Sequence, residues 1–398
     1  MSTERVKLRL MMNQRFNSFI MGGFECSTHR DKRGRRLDLI NSTRHDEFAD
    51  RDYQRMVDHG MLTARDGVRW HLIEKEPNKY DFSSLERQVT AAKDTGIEII
   101  WDYFHYGYPD DLDIFSDQFS ERFCSFSEAV TQFLMANLAE KLHVCPVNEI
   151  SFYSWIAADR GHFHPAVVRR SHELKRLLIQ TSTAAVRRIR EVNPDTTIMF
   201  TEPAIHVVPK DHSPQAKRSA ESYRRSQFEA LDALERSPAD ESLNDVIGLN
   251  YYFHNQWRYP SRRKIPRGHK LYRPLNEILT EFYERYQRPL LIAETGIEDD
   301  ERAEWFRYVC DQVAIAIDNG VPMQGICLYP IANHPGWADN RHCHNGLWDY
   351  ADDRGEREIH TPLSEEIALQ IERFDRILKE PSRKTPRLAE SVKAAGRT

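Results

Sequence analysis

The 398-residue sequence has no Cys-x-x-Cys pair, no stretch near the ~20 apolar residues of a membrane span, and no large excess of either charge. Each absence excludes something. The six cysteines (Cys26, Cys124, Cys145, Cys310, Cys327 and Cys343) are scattered. That favours reduced thiols in a cytoplasm over a disulfide framework. The opening MSTERVKLRLMMNQRF has neither the apolar core nor the small-residue cleavage site of a secretory signal, in keeping with a cytoplasmic location. Lys+Arg of 56 against Asp+Glu of 61 gives a formal net charge of -5. That is too balanced to mark nucleic acid or a membrane surface as a partner. Basic stretches at 30–36 and 258–270 read as solvated loops, and oligomeric state is not legible. No G-x-x-x-x-G-K loop, no G-x-G-x-x-G after a strand and no G-x-S-x-G elbow occurs. Phosphate-loop, dinucleotide and serine-hydrolase chemistry therefore have no motif. The 17 histidines include His162/His164 and His342-Cys343-His344 but no His-Glu-x-x-His, so no metal and no cofactor is expected.

What is present is an alternation of short apolar runs and longer polar-faced segments. Strands are expected at Ser18–Phe24, Gly67–Ile73, Ile97–Phe104, Leu142–Asn148, Thr197–Glu202, Val246–Tyr252, Leu290–Glu294 and Gly325–Pro330. Runs such as IEIIWDYF and PLLIAET are nearly continuous, as in parallel strands covered on both faces. Helices are expected at Asp46–His59, Ser83–Asp94, Ser120–Glu140, Pro165–Val192, Ser219–Glu235, Pro274–Tyr286, Glu301–Asn319 and Pro362–Leu378. Eight strand–helix repeats imply an α/β chain forming one closed (β/α)8 TIM barrel over 1–378, with a flexible charged tail at 379–398.

In such barrels the chemistry sits where strands end. Glu149 closes the fourth expected strand in CPVNEI, and Glu294 closes the seventh in LLIAETG. A charge directly after a buried apolar run is costly unless it is paired, hydrated or functional. Two carboxyls facing each other about 5–5.5 Å apart are what a retaining glycosidase needs, one as acid/base and one as nucleophile. Glu202, in FTEP at the end of the fifth strand, is the rival acid, but it lacks a preceding asparagine.

These motifs resemble clan A of the glycoside hydrolases, and family 1, the β-glucosidase family, most closely. The likeness runs from about Phe19 to Asp349. Val147-Asn148-Glu149 is similar to the family's acid/base motif, and Ile292-Ala293-Glu294-Thr295-Gly296 to its nucleophile motif. Glu149 and Glu294 are then the catalytic pair. The resemblance further implies that Arg69, in GVRW, lies beside the nucleophile, and that Tyr252 hydrogen-bonds it. Asn148 would donate to the sugar 2-hydroxyl, and His105 and His29 would hold other hydroxyls. Tyr329, Trp337 and Trp348 would offer aromatic faces to the ring. The sequence also departs from the family pattern. Tyr329 and Tyr106 stand where it has tryptophan, His29 where it has glutamine, and Gly336 where a glutamate grips the outer hydroxyls. Arg341, His342 and His344, after the last strand, could meet a charged sugar. The substrate expected is a small carbohydrate or β-glycoside, cleaved with retention. A transglycosylase using the same intermediate, or a non-catalytic carbohydrate-binding barrel, are the alternatives.

Overall fold

Apolar runs covered on both faces must pair side by side with helices outside them, and the computed structural model of the chain has that arrangement. It describes residues 14–138, 141–235 and 243–379. Eight strands close into a barrel: β1 Ile20–Gly23, β2 Thr63–Gly67, β3 Glu98–Asp102, β4 His143–Cys145, β5 Thr197–Pro203, β6 Val246–Asn250, β7 Leu290–Thr295 and β8 Met323–Leu328. Neighbours pair in parallel throughout, and β1 closes the ring by pairing with both β2 and β8. The outer helices are α1 His45–Asp58, α2 Ser83–Thr95, α3 Asp117–Asn137, α4 Ser171–Val192, α5 Glu229–Glu235, α6 Leu275–Tyr286, α7 Arg302–Asp318 and α8 Thr361–Lys379.

Helix α4 shows how pattern becomes packing. It buries Leu174, Leu178, Thr181, Ala185 and Ile189, three or four residues apart, and stops before Pro194, whose ring cannot continue a helix. Truncating a side chain such as Leu178 to alanine would cost about 2–5 kcal/mol. Two apolar clusters result. An inner one with Met21, Ile100, Cys145, Met199, Leu291 and Cys327 fills the barrel. A larger one lies between strands and helices.

The second strand departs from expectation. It is Thr63–Gly67, and Trp70–Ile73 is a short helix. The residues TARDG are polar, so an apolar-run criterion passes over them. They remain buried because each charge finds a partner. Arg65 meets Asp102, and Asp66 meets His45 and Tyr53. Other differences are local. Helix α4 begins at Ser171, after a loop in which Ala166 and Arg169 have left-handed backbone. The helix expected at Ser219–Glu235 is two helices, Pro214–Arg225 and α5, joined by a tight turn. The end of the third expected helix at Glu140 and the tail from 380 onward lie outside the described residues. No helix among the described residues is long and apolar enough to cross a membrane.

Candidate active site

Glu294 sits at the end of β7, where alternation would turn it away from the interior that Leu291 and Ala293 face. A register shift against β6 between Ile292 and Glu294 breaks that alternation. Bulges of this kind re-aim a side chain next to a functional site. Glu294 is 5% exposed, and each of its oxygens has a donor. Arg65 Nη1 donates to Oε1 at 2.7 Å, and the Tyr252 hydroxyl donates to Oε2 at 2.9 Å.

Arg65 is therefore the arginine beside Glu294, and Arg69 is not. Arg69 Nη1 donates to Asp46 at 2.8 Å and Asp38 at 3.3 Å, and its Nη2 donates to the Ser84 carbonyl at 3.0 Å. The reason is where the strand ends. Thr63 and Arg65 share the inward face of β2, whereas Arg69 follows the strand and opens the short helix Trp70–Ile73. Fully buried Arg65 also makes two bonds to Asp102, at 2.7 and 3.0 Å, and one to Asn148 Oδ1 at 2.7 Å.

Glu149 begins the short helix Ile150–Ala158 with a left-handed backbone, φ 45° and ψ 63°. A non-glycine residue in that region carries roughly 1–3 kcal/mol of strain, and such strain gathers at functional sites. Its side chain caps nothing, so the carboxyl is free to face the cavity, where Tyr106 donates to Oε2 at 3.1 Å. Asn148 is fully engaged. Its Nδ2 donates to the Tyr106 hydroxyl at 2.9 Å and lies 3.1 Å from His105 Nε2, while Thr201 donates to its Oδ1 at 2.6 Å. Asn148 therefore cannot donate to a sugar without releasing Tyr106 or His105. His105 Nδ1 lies 2.9 Å from Asp102 Oδ2, so that nitrogen carries the proton and Nε2 accepts from Asn148.

The electrostatics separate the two glutamates. Burial and the neighbouring negative charges of Glu294 and Glu202 hold the Glu149 carboxyl well above the usual range. Burial raises Glu294 too, but the Arg65 cation opposes it. In the pair, Glu149 is the group that keeps its proton. Burial pushes the rival Glu202 up to about 7. Glu202 is 1% exposed, accepts from the Ser151 backbone at 3.0 Å, and leaves Oε2 without a partner among the described residues.

A cavity of about 1200 Å³ opens from this floor and is lined there by Glu25, His105, Tyr106, Glu149, Tyr252 and Glu294, with Trp337, His334 and Asn345 on one wall. Several expected contacts lie one layer back. His29 stacks on Phe163 at 3.7 Å and meets Trp337 edge-on at 5.3 Å. Neither of its ring nitrogens has a partner among the described residues, and burial lowers its pKa to about 3. Tyr329 is buried beneath Arg65, whose guanidinium lies 5.4 Å from the ring centre, so it braces that cation. Trp348 packs in the core against His59. Arg341 is held by Glu298 through two bonds of 2.5 and 2.6 Å.

Among the described residues, two groups of side chains bring possible metal donors together. Cys26, Asp102 and His105 are buried, and Asp102 is already bonded to Arg65. His342 and His344 lie near Asp349, but their rings stack at 4.2 Å and 13°, so their lone pairs run parallel instead of converging. Neither set fits a resident ion.

Glu25 is a floor residue the sequence reading missed. It stands two residues past β1 in GGFEC, is 6% exposed, and accepts from the Ser27 backbone at 3.0 Å. The criterion that found Glu149 and Glu294, a charge directly after a buried run, also applies to it.

With this geometry in view, comparison with known proteins is direct. The chain has the fold of the family 1 β-glucosidases. A family 1 β-glucosidase from Thermotoga maritima superposes with a TM-score of 0.73 at 14% identity, over 90% of this chain and 99% of that one. The virulence factor SghA from Agrobacterium tumefaciens gives 0.72 at 16% identity, over 92% and 99%. SghA solved with its substrate analogue salicin gives 0.72 at 17% identity, over 93% and 98%. No protein-family model matches the sequence, and no curated protein matches it. The likeness is one of barrel architecture carried by few shared residues.

Proposed function

We propose that the chain is a retaining β-glycosidase in which Glu149 is the acid/base and Glu294 the nucleophile. One observation carries the reading. The two carboxyls share one cavity floor, one bonded by a buried arginine and a tyrosine, the other burdened by negative neighbours. Glu149 gives its proton to the glycosidic oxygen as that bond breaks, and Glu294 forms an ester with the anomeric carbon. Glu149, now a base, takes a proton from water, and the incoming oxygen displaces Glu294. The likeness to β-glucosidases, one of them solved with glucoimidazole, supports a carbohydrate substrate. Six free thiols support a reducing, cytoplasmic setting.

The test uses an activated aryl β-glycoside. Glu294→Gln and Glu149→Gln each lose turnover, and Glu294→Gly with azide yields the α-glycosyl azide. Wild-type turnover in both glutamine variants would refute the assignment. Transfer in place of hydrolysis would be revealed by adding sugar acceptors and counting products.

A further inference from the structure

The cavity is larger than the floor needs. At about 1200 Å³ it exceeds the roughly 300–1,000 Å³ of most small-molecule sites. The surplus runs outward over the helix Ile150–Ala158, the start of α4, the helix Pro214–Arg225, and a small sheet built from His206–Pro209, Gln256–Tyr259 and Arg263–Lys264. The two ends differ in charge. The floor carries three carboxyls, Glu25, Glu149 and Glu294, of which Glu149 keeps its proton, and the buried cation Arg65 bonds Glu294. The outer wall carries Arg218, Arg262 and Lys264, none ion-paired among the described residues. Of the other charges there, Lys175 is paired with Glu229 at 2.8 Å, and Asp159 is a single acid.

The outer cations are set among rings. Arg262 lies 4.4 Å over Trp155, and Lys264 lies 4.3 Å over Phe253. An arginine lying on an indole face keeps its in-plane N–H groups available to a carboxylate or phosphate. Phe152 and Trp155 on one side, and Tyr223 and Tyr259 at 4.9 Å on the other, supply ring faces. The basic stretch at 258–270, read from sequence as a solvated loop, in part lines this cavity.

We propose that the leaving-group half of the site takes an anionic saccharide, so that the substrate is a β-glycoside whose neutral sugar sits on the floor and whose acidic sugar lies among Arg218, Arg262 and Lys264. This deepens the hydrolytic reading above and rests on it. Glu25 and Glu294 repel an anion from the inner end and three cations attract it at the outer end, so an asymmetric substrate is favoured in one orientation. The shared chemistry is a sugar carboxylate or phosphate on the leaving group.

The experiment measures kcat/KM for paired β-disaccharides whose leaving sugar is glucose, glucuronate or glucose 6-phosphate, with several neutral sugars in turn as the glycone. The expected result is a preference of about tenfold or more for an acidic leaving sugar, shrinking with added salt. The ratio of the two acidic arms tells carboxylate from phosphate. The preference falls in the triple variant Arg218→Gln, Arg262→Gln, Lys264→Gln. Lys264→Glu alone keeps the test alive if the triple variant does not fold. Equal rates, a neutral preference, or a preference that survives these substitutions would overturn the proposal. Binding of a glucuronate trisaccharide to Glu294→Gln, followed by tryptophan fluorescence against a neutral trisaccharide, needs no turnover. Preferential binding without hydrolysis by the wild type would sink only the hydrolytic reading. Hydrolysis of neutral aryl glycosides with no acidic preference in either assay would sink only this one.

Discussion

Replacing Arg65 with methionine is the most exacting test of how the floor is held. The guanidinium bonds Asp102 twice, Glu294 once and Asn148 once, all between 2.7 and 3.0 Å, with no solvent exposure. Methionine of similar reach leaves Asp102 and Glu294 buried and uncompensated. Breaking a buried pair from one side costs about 3–5 kcal/mol, against a total stability of roughly 5–15 kcal/mol. At the low end, and at about 2 °C per kcal/mol for a long chain, the melting temperature falls by roughly 6 °C. The pH dependence has a definite sign. Although burial raises it, Asp102 is held below its usual range by Arg65. Such a group contributes stability above its unfolded pKa, and that contribution is lost as pH falls through the folded value. The gap between wild type and variant is therefore widest near neutrality and narrows in acid. Kinetics add a second readout. Without the Arg65 cation, burial and Glu25 drive the Glu294 pKa higher, so the acid limb of kcat/KM moves to higher pH. Arg69→Met removes a buried arginine that bonds Asp46 and Asp38 instead, and leaves that limb where it is. A melt within about 2 °C of wild type for Arg65→Met, or a limb that moves with Arg69, would refute the reasoning.

Other expectations follow from single contacts. Tyr252→Phe removes a hydrogen bond to ionised Glu294. It should lower kcat/KM by about 10- to 100-fold and raise the acid limb, checked by a pH–rate profile. Tyr106→Phe deprives Glu149 of a donor and leaves an Asn148 N–H without its acceptor. The basic limb should move up, and stability should fall by about 1–3 kcal/mol in a denaturant titration. Glu202, pushed up to about 7 by burial, is stabilising when protonated. Its contribution is full below the unfolded pKa near 4.5 and is lost as pH rises through 7, about 3 kcal/mol in all. The melting temperature of Glu202→Gln should therefore gain on wild type between pH 5 and pH 9, and a constant difference would contradict that.

The barrel was legible because its strongest signals are apolar. Strands such as LLIAET and MQGICL are wholly buried and read so from composition alone. The strand that was misplaced is the one whose burial depends on ion pairing. In TARDG every residue is buried, yet only the alanine is apolar. Its place is set by partners on other strands and helices: Asp102, His45 and Tyr53. No local pattern carries that information, because pairing across the barrel is a property of closure. A strand-by-strand reading slid the second strand forward to the next apolar run, and the arginine assigned to the nucleophile slid with it.

The same physics explains which of the expected residues the structure brings together on the cavity floor. Glu149, Glu294, Tyr252 and His105 stand at or just past the ends of strands with strong apolar signals, so their positions followed once the strands were found. His29 and Tyr329 stand at strand ends too, but their rings turn into layers behind the wall, against Phe163 and beneath Arg65. Asn148 shows the deeper limit. Its place is as expected, but its amide is engaged by Tyr106, a residue the sequence marked only as a departure from a family pattern. The tyrosine hydroxyl links the two halves of the floor, accepting from Asn148 and donating to Glu149. A tryptophan N–H can donate but not accept, so it could not make both bonds. Tyr106 thus keeps the Asn148 amide engaged while joining Asn148 to Glu149.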